Sequence, residues 1–206
     1  MNERQKVSLA ILVLIILFGV LWMMRDLPVA NPYDDQTDLS QTSTATHVGE
    51  DSMTTYVNVA DHFSFEYPSS LYLKQRSVSR GEEPKLSIVL VRNTDENVDF
   101  VEGRTQDVRE GPTAVTFEVY DNPTNLSPEA WAEQDKNWGI HASSVSVVAV
   151  DGVNGSSYAW SGLYEGRSVI LPQGEDMIVL SVTWMSPEDQ ILKDFETILD
   201  SAAFTD

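Results

Sequence analysis

From Tyr56 onward the chain alternates apolar and polar residues with a period of two, in one run after another, and this pattern limits the fold more than any other. Successive side chains of a β-strand point to opposite faces, so each run predicts a strand with one face in a core. The runs are "YVNVA" from Tyr56, "FSFEY" from Phe63, "LYLKQ" from Leu71, "AVTFEVY" from Ala114, "VSVVAV" from Val145, "SSYAWSG", "GRSVIL" and "DMIVLSVTWM". In "FSFEY" the spacing puts Phe63, Phe65 and Tyr67 inward and Ser64 and Glu66 outward, with a turn at Pro68-Ser69-Ser70. Val115, Phe117 and Val119 share a second inward face, and Ile178, Leu180, Val182 and Trp184 a third. "LSIVLV", Leu86 to Val91, is apolar throughout and predicts a central strand.

Two stretches break the period and predict helices with the same opening. Ser127-Pro128-Glu129 starts "SPEAWAEQDKNW", and Ser186-Pro187-Glu188 starts "SPEDQILKDFETILDSAAF". A serine caps free amides, proline suits the first helical position, and glutamate favours the positive end of the dipole. In the second, Ile191, Leu192, Phe195, Ile198, Leu199 and Ala202 form an apolar stripe that must lie on another element. In the first, Trp131 and Trp138 are expected in a core. Strands joined by short links pair antiparallel, and helices laid on such a sheet give an α+β architecture.

The strand F-x-F-x-Y-P, the middle "VAVDGVNGSSYAW" with its Asp-Gly turn, and the closing "FETILDSAAF" together resemble the PsbP-like family over about residues 54–206. That family holds the extrinsic P protein of photosystem II and extracytoplasmic bacterial relatives. The resemblance implies an antiparallel β-sheet sandwiched by helices. It also implies a binding or assembly-support module, since the family shares no catalytic residues to carry over.

The first part of the chain is of another kind. Val7 to Met24 is a run of 18 residues without a charge. As a helix it spans roughly 27 Å, close to the hydrocarbon thickness of a bilayer. Arg4 and Lys6 precede it, which places residues 1–6 in the cytoplasm, 7–24 as a transmembrane anchor and the remainder outside the membrane. A cleaved signal fits less well, because the core is long and Pro28 stands at -3 of the candidate site after Ala30. A pilin-like start fits less well still, with no acidic residue in the run and Pro28 and Pro32 beyond it. Residues 25–53 are polar and without periodicity, His47 among them, and predict a flexible acidic linker reaching ~30 Å. The globular α+β domain is expected over 54–206.

Charge bounds the partners. The chain is -19 overall. Residues 1–25 are +2, and the remainder, with 10 basic and 31 acidic side chains, is -21. That field repels nucleic-acid phosphates and anionic headgroups. The absence of cysteine excludes disulfides, thiolate metal sites, cysteine nucleophiles and a lipidated cysteine.

Motifs for chemistry are sparse. His62 and His141 are the domain's histidines and form no metal-ligand spacing. There is no G-x-S-x-G, no phosphate-binding loop and no dinucleotide fingerprint. "DGVNG", Asp151 to Gly155, reads as a turn, and Asn125 and Asn154 head glycosylation-type tripeptides. The exception is the 21-residue connection Arg92 to Pro112, long enough to predict a mobile or functional loop. Asp95, Glu96, Asp99, Glu102, Asp107 and Glu110 gather there around Phe100 and Val101. Asp95, Glu96, Asp99, Phe100 and Glu102 are the candidate interaction site, for a protein or envelope partner. Calcium is disfavoured because the acidic spacing of a calcium loop is absent and Arg104 and Arg109 offset the charge. The expected role is a membrane-anchored extracytoplasmic binding or assembly-support domain, non-catalytic and without cofactor. The alternatives are an envelope-acting hydrolase and a structural subunit of a surface assembly.

Overall fold

The computed structural model describes residues 52–77, 84–105, 110–134 and 144–205. The expected anchor and nearly all of the linker, with His47, Asp107, Arg109, Trp138 and His141, lie outside the described residues. Among the described residues no helix is long and apolar enough to cross a membrane.

The chain order is β1 (Met53–Asn58), β2 (Phe63–Pro68), β3 (Leu71–Ser77), β4 (Leu86–Arg92), α1 (Asp95–Val101), β5 (Ala114–Asp121), α2 (Pro128–Gln134), β6 (Ser146–Val150), β7 (Val153–Ser161), β8 (Glu165–Gln173), β9 (Asp176–Trp184), α3 (Gln190–Ser201) and β10 (Ala203–Phe204). All pairings are antiparallel. Seven strands form one sheet in the order β3-β4-β5-β9-β8-β7-β6, and β1-β2-β10 form a second. The first described strand includes Met53. Met53 pairs with Pro68, and Ser69 N–H donates to the Ser52 carbonyl at 2.8 Å.

One face of the large sheet is covered by the small sheet and by α3. Here lie Ile88 and Leu90 of β4, Val115, Phe117 and Val119 of β5, and Ile178, Leu180 and Val182 of β9, against Phe63 and Phe65 of β2. The Phe65 and Phe117 rings stack at 4.2 Å between centroids. The expected stripe of α3 is buried against this layer, Phe195 and Ile198 completely and Leu192 in part. Tyr56 and the inward side chains of "FSFEY" thus carry the small sheet onto the core, with Tyr67 half-buried at its margin.

The opposite face holds α2, whose Trp131 and Ala132 pack with Tyr158, Ile170, Met177 and Val179. Tyr120 lies 5.5 Å from Trp131, ring to ring. Ser127 caps α2 as expected, its Oγ accepting from Ala130 N–H at 3.2 Å. Helices therefore flank the sheet on both sides, and the small sheet is an addition to the expected sandwich.

Three local expectations are corrected. "LSIVLV" is β4, second from an edge, while the middle strand is β9. β9 is buried without a break from Met177 to Val182, because strands lie on both of its sides and helices over both of its faces. The last helix starts at Gln190 with Asp189 as its cap residue, three residues beyond Ser186. Pro187 and Glu188 form a preceding turn, and the Asp189 carboxylate accepts the N–H groups of Met185 and Ser186 at 2.8 and 3.1 Å. In "DGVNG" only Asp151 and Gly152 turn, with φ of 47° and 78°. These suit a two-residue hairpin of the mirror-image type. Asn154 and Gly155 are already in β7. A Cβ at Gly155 would stand 2.2 Å from the Ile170 carbonyl oxygen, so the close approach of β8 requires glycine there.

Candidate functional site

The 92–112 connection is built around a short helix, α1, where the sequence predicted a mobile loop. Thr94 is its N-cap, in extended conformation, with Oγ1 accepting from Asn97 N–H at 3.3 Å. Asp95 and Glu96 occupy the first turn, where negative charge is favoured. Gly103, at φ 69°, ends the helix, and its N–H donates to the Phe100 carbonyl at 3.0 Å.

The helix is fixed to the edge of the large sheet by its C-terminal end. The Glu102 carboxylate accepts from the Tyr72 hydroxyl at 2.6 Å and from Lys74 Nζ at 3.0 Å. Arg76 donates to the Val101 carbonyl, and the Val101 side chain is buried. Phe100 lies against the chain at Gly111, where a Cβ would stand 2.9 Å from its ring. The Tyr72 hydroxyl, helped by Lys74 and Arg104, holds the Glu102 carboxyl below its usual range despite partial burial. The same hydrogen bond raises the Tyr72 phenol.

The five candidate residues therefore divide. Asp95, Glu96 and Asp99 are exposed, and Asp95 and Asp99 share one helix face at a spacing of four. Asp99 accepts from Arg104 Nε at 2.8 Å on the surface. Phe100 and Glu102 are half-buried and serve to seat the helix. Glu110 is exposed. Calcium needs about six to eight convergent oxygens. Here Glu102 turns to β3 and Asp99 to Arg104, and among the described residues no three His, Asp or Glu gather to hold a metal.

His62 sits in the β1–β2 turn at φ 58°, exposed, with its carbonyl accepting from Thr205 N–H at 3.0 Å. Asn125 lies in an exposed turn, whereas Asn154 is followed by the fully buried Ser156 within β7. Two charged arrangements had no signature in the sequence. Lys85 bridges Asp61 at 3.0 Å and Asp176 at 2.6 Å, tying the β1–β2 turn to the head of β9. Burial opposes its charge, but the two carboxylates prevail and raise the ammonium above its ordinary range. Asp194, buried on α3, is 3.4 Å from the Arg92 guanidinium and accepts from Gln190 Nε2 at 3.1 Å. Both depend on residues far apart in the chain, which only the fold brings together.

No family model matches the chain, and no curated protein matches it. Among solved structures it is similar to cyanobacterial PsbP (CyanoP) from Synechocystis, at 12% identity and a TM-score of 0.47, over 80% of this chain and 99% of that one. It is also similar to a protein from Bacteroides thetaiotaomicron, at 14% identity and a TM-score of 0.42, over 74% of this chain and 48% of the other. Likeness at this identity concerns fold alone.

Proposed function

We propose that the chain is a single-pass membrane protein with residues 1–6 inside, 7–24 as anchor and the α+β domain outside, periplasmic or extracellular, on the acidic linker. In this reading the domain is a non-catalytic binding or assembly-support module for a protein or envelope component. The observation that carries it is α1. The sheet holds this helix by Glu102, Arg76 and Val101, and the helix turns Asp95, Glu96 and Asp99 toward solvent. A fixed helix with acidic side chains outward suits recognition of a basic surface, because charge complementarity sets encounter rate and register.

The test is a photo-crosslinker at Asp95 in the full chain, in its native membrane. A discrete adduct that weakens when Asp99 becomes Asn supports the reading. No adduct, together with turnover of an envelope polymer by the purified chain, would replace it with the hydrolase alternative. For the anchor, the chain should resist alkaline extraction of membranes. A mature protein starting at residue 31 would remove the anchor from the reading.

A further inference from the structure

Among the described residues β1 is an edge strand of the small sheet, and its hydrogen-bonding pattern identifies which groups face outward. Ser69 N–H donates to the Ser52 carbonyl, and Met53 stands opposite Pro68. In an antiparallel ladder, bonded and non-bonded pairs alternate. Thr54, Tyr56 and Asn58 therefore bond to β2, while the N–H and C=O groups of Met53, Thr55 and Val57 point away from the sheet. Pro68 opposite Met53 fits this register, since that position asks nothing of its missing N–H.

The same three residues alternate with buried Tyr56, so their side chains lie on the outer face of the small sheet. Met53 is 43% exposed and Val57 61%, and Val59 in the following turn is 80% exposed. Proteins usually blunt a free edge by charge, proline or shortness. β10 is two residues long and β3 contains Lys74 and Arg76, but "MTTYVN" of β1 has none of these devices. β6 is likewise uncharged, but the β7 residues opposite it, Val153 to Ser157, carry no charge that would select a partner. Asp61 is already paired with Lys85, so the charge beside β1 is that of Glu66, in a chain of -19 overall. Exposed Glu66 stands opposite Thr55. A second copy would bring the same acidic field, whereas a basic strand complements it.

We propose that the outer edge of β1 receives an extended, basic segment of a partner protein as an added strand. Its backbone would meet Met53, Thr55 and Val57, its apolar side chains would lie beside Met53 and Val57, and a lysine or arginine would approach Glu66. β1 belongs to the small sheet, whereas α1 is held by β3 of the large one.

The probe is a blocked, fluorescein-labelled peptide of alternating lysine and valine, titrated into the full chain in detergent micelles and followed by anisotropy. Saturable binding is expected, at least tenfold weaker for the same peptide with glutamate in place of lysine. Thr55→Pro removes an outward N–H without touching the β2 ladder and should weaken binding tenfold or more. Val57→Lys should do the same by charge, and decides the matter if Thr55→Pro does not fold. Asp95→Asn with Asp99→Asn should leave binding unchanged, which separates this edge from the α1 surface. The proposal is overturned by no saturable binding, by equal binding to folded edge variants, or by sedimentation showing a dimer that Thr55→Pro abolishes.

Discussion

Glu102 joins two donors from β3 to the end of α1, and its worth can be measured. Glu102→Gln should cost about 1–2 kcal/mol in chemical denaturation at neutral pH, the range for a partly exposed charge-assisted bond. Because the folded-state pKa is depressed, this stabilisation is present above the unfolded carboxyl value of about 4.3 and is lost as pH falls through the folded value. The gap between native and variant should therefore shrink below about pH 4. Arg92→Ala strands the buried Asp194 carboxylate. About 2–3 kcal/mol is expected, at or below the low end for breaking fully buried pairs, because Arg92 is partly exposed. An equal loss in Arg92→Ala and in the Arg92→Ala, Asp194→Leu double variant would show that the stranded charge is not the cause. At this scale the sequence is informative for side chains whose direction follows from period two, such as Phe63, Phe65 and Phe117. It is silent for Asp194 and Lys85, whose partners are distant in the chain.

Elements are legible where local pattern and environment agree. α3 shows its stripe plainly, yet its first turn lies later than the pattern predicts, because Ser186-Pro187-Glu188 carries the same start signal as α2 but folds into a turn closed by the Asp189 carboxylate. α1 escapes the periodicity for a physical reason: seven residues give barely two turns, and only Val101 is buried. Its signals are present in Thr94 before two acids and Gly103 after the last apolar residue. β4 and β9 are both apolar runs, and periodicity does not rank them; neighbours in the sheet do. At Gly155 the element itself is at stake. Alanine there meets the Ile170 carbonyl and must part β7 from β8. It should destabilise by about 1–3 kcal/mol, the usual cost of overpacking, and lower amide-exchange protection in both strands. Unchanged protection would mean the strands yield without cost.

For the whole molecule, charge and core act in opposition. A chain at -19 repels itself when compact. Its melting temperature should rise as salt goes from about 0.01 to 0.5 M, over which the screening length falls from about 30 Å to a few ångströms. A flat response would show that local pairs such as Lys85 with Asp61 and Asp176 already cancel the field. The core should outweigh the charge. Phe65→Ala, at the stack with Phe117, should cost about 3–5 kcal/mol in denaturation. An antiparallel sheet with helices laid on it is legible from the run of alternating segments and the two helical stretches. The division into a large and a small sheet is not, because "YVNVA" and "FSFEY" carry no mark of which strands they will join.

The small sheet closes on Ala203 and Phe204, which pair with Ser64 and Phe63 across nearly the whole domain. The Phe204 N–H is taken by the Asp151 carboxylate at 2.9 Å. Contacts between such remote segments are slow to form, since the loop between them must be ordered first. The β1–β2 hairpin, though among the earliest parts of the domain to be synthesised, is therefore among the last to be secured. Phe63 and Phe65 find their packing surface only when β5 and β9 of the large sheet are in place, and until then they are exposed apolar surface of the kind that favours aggregation.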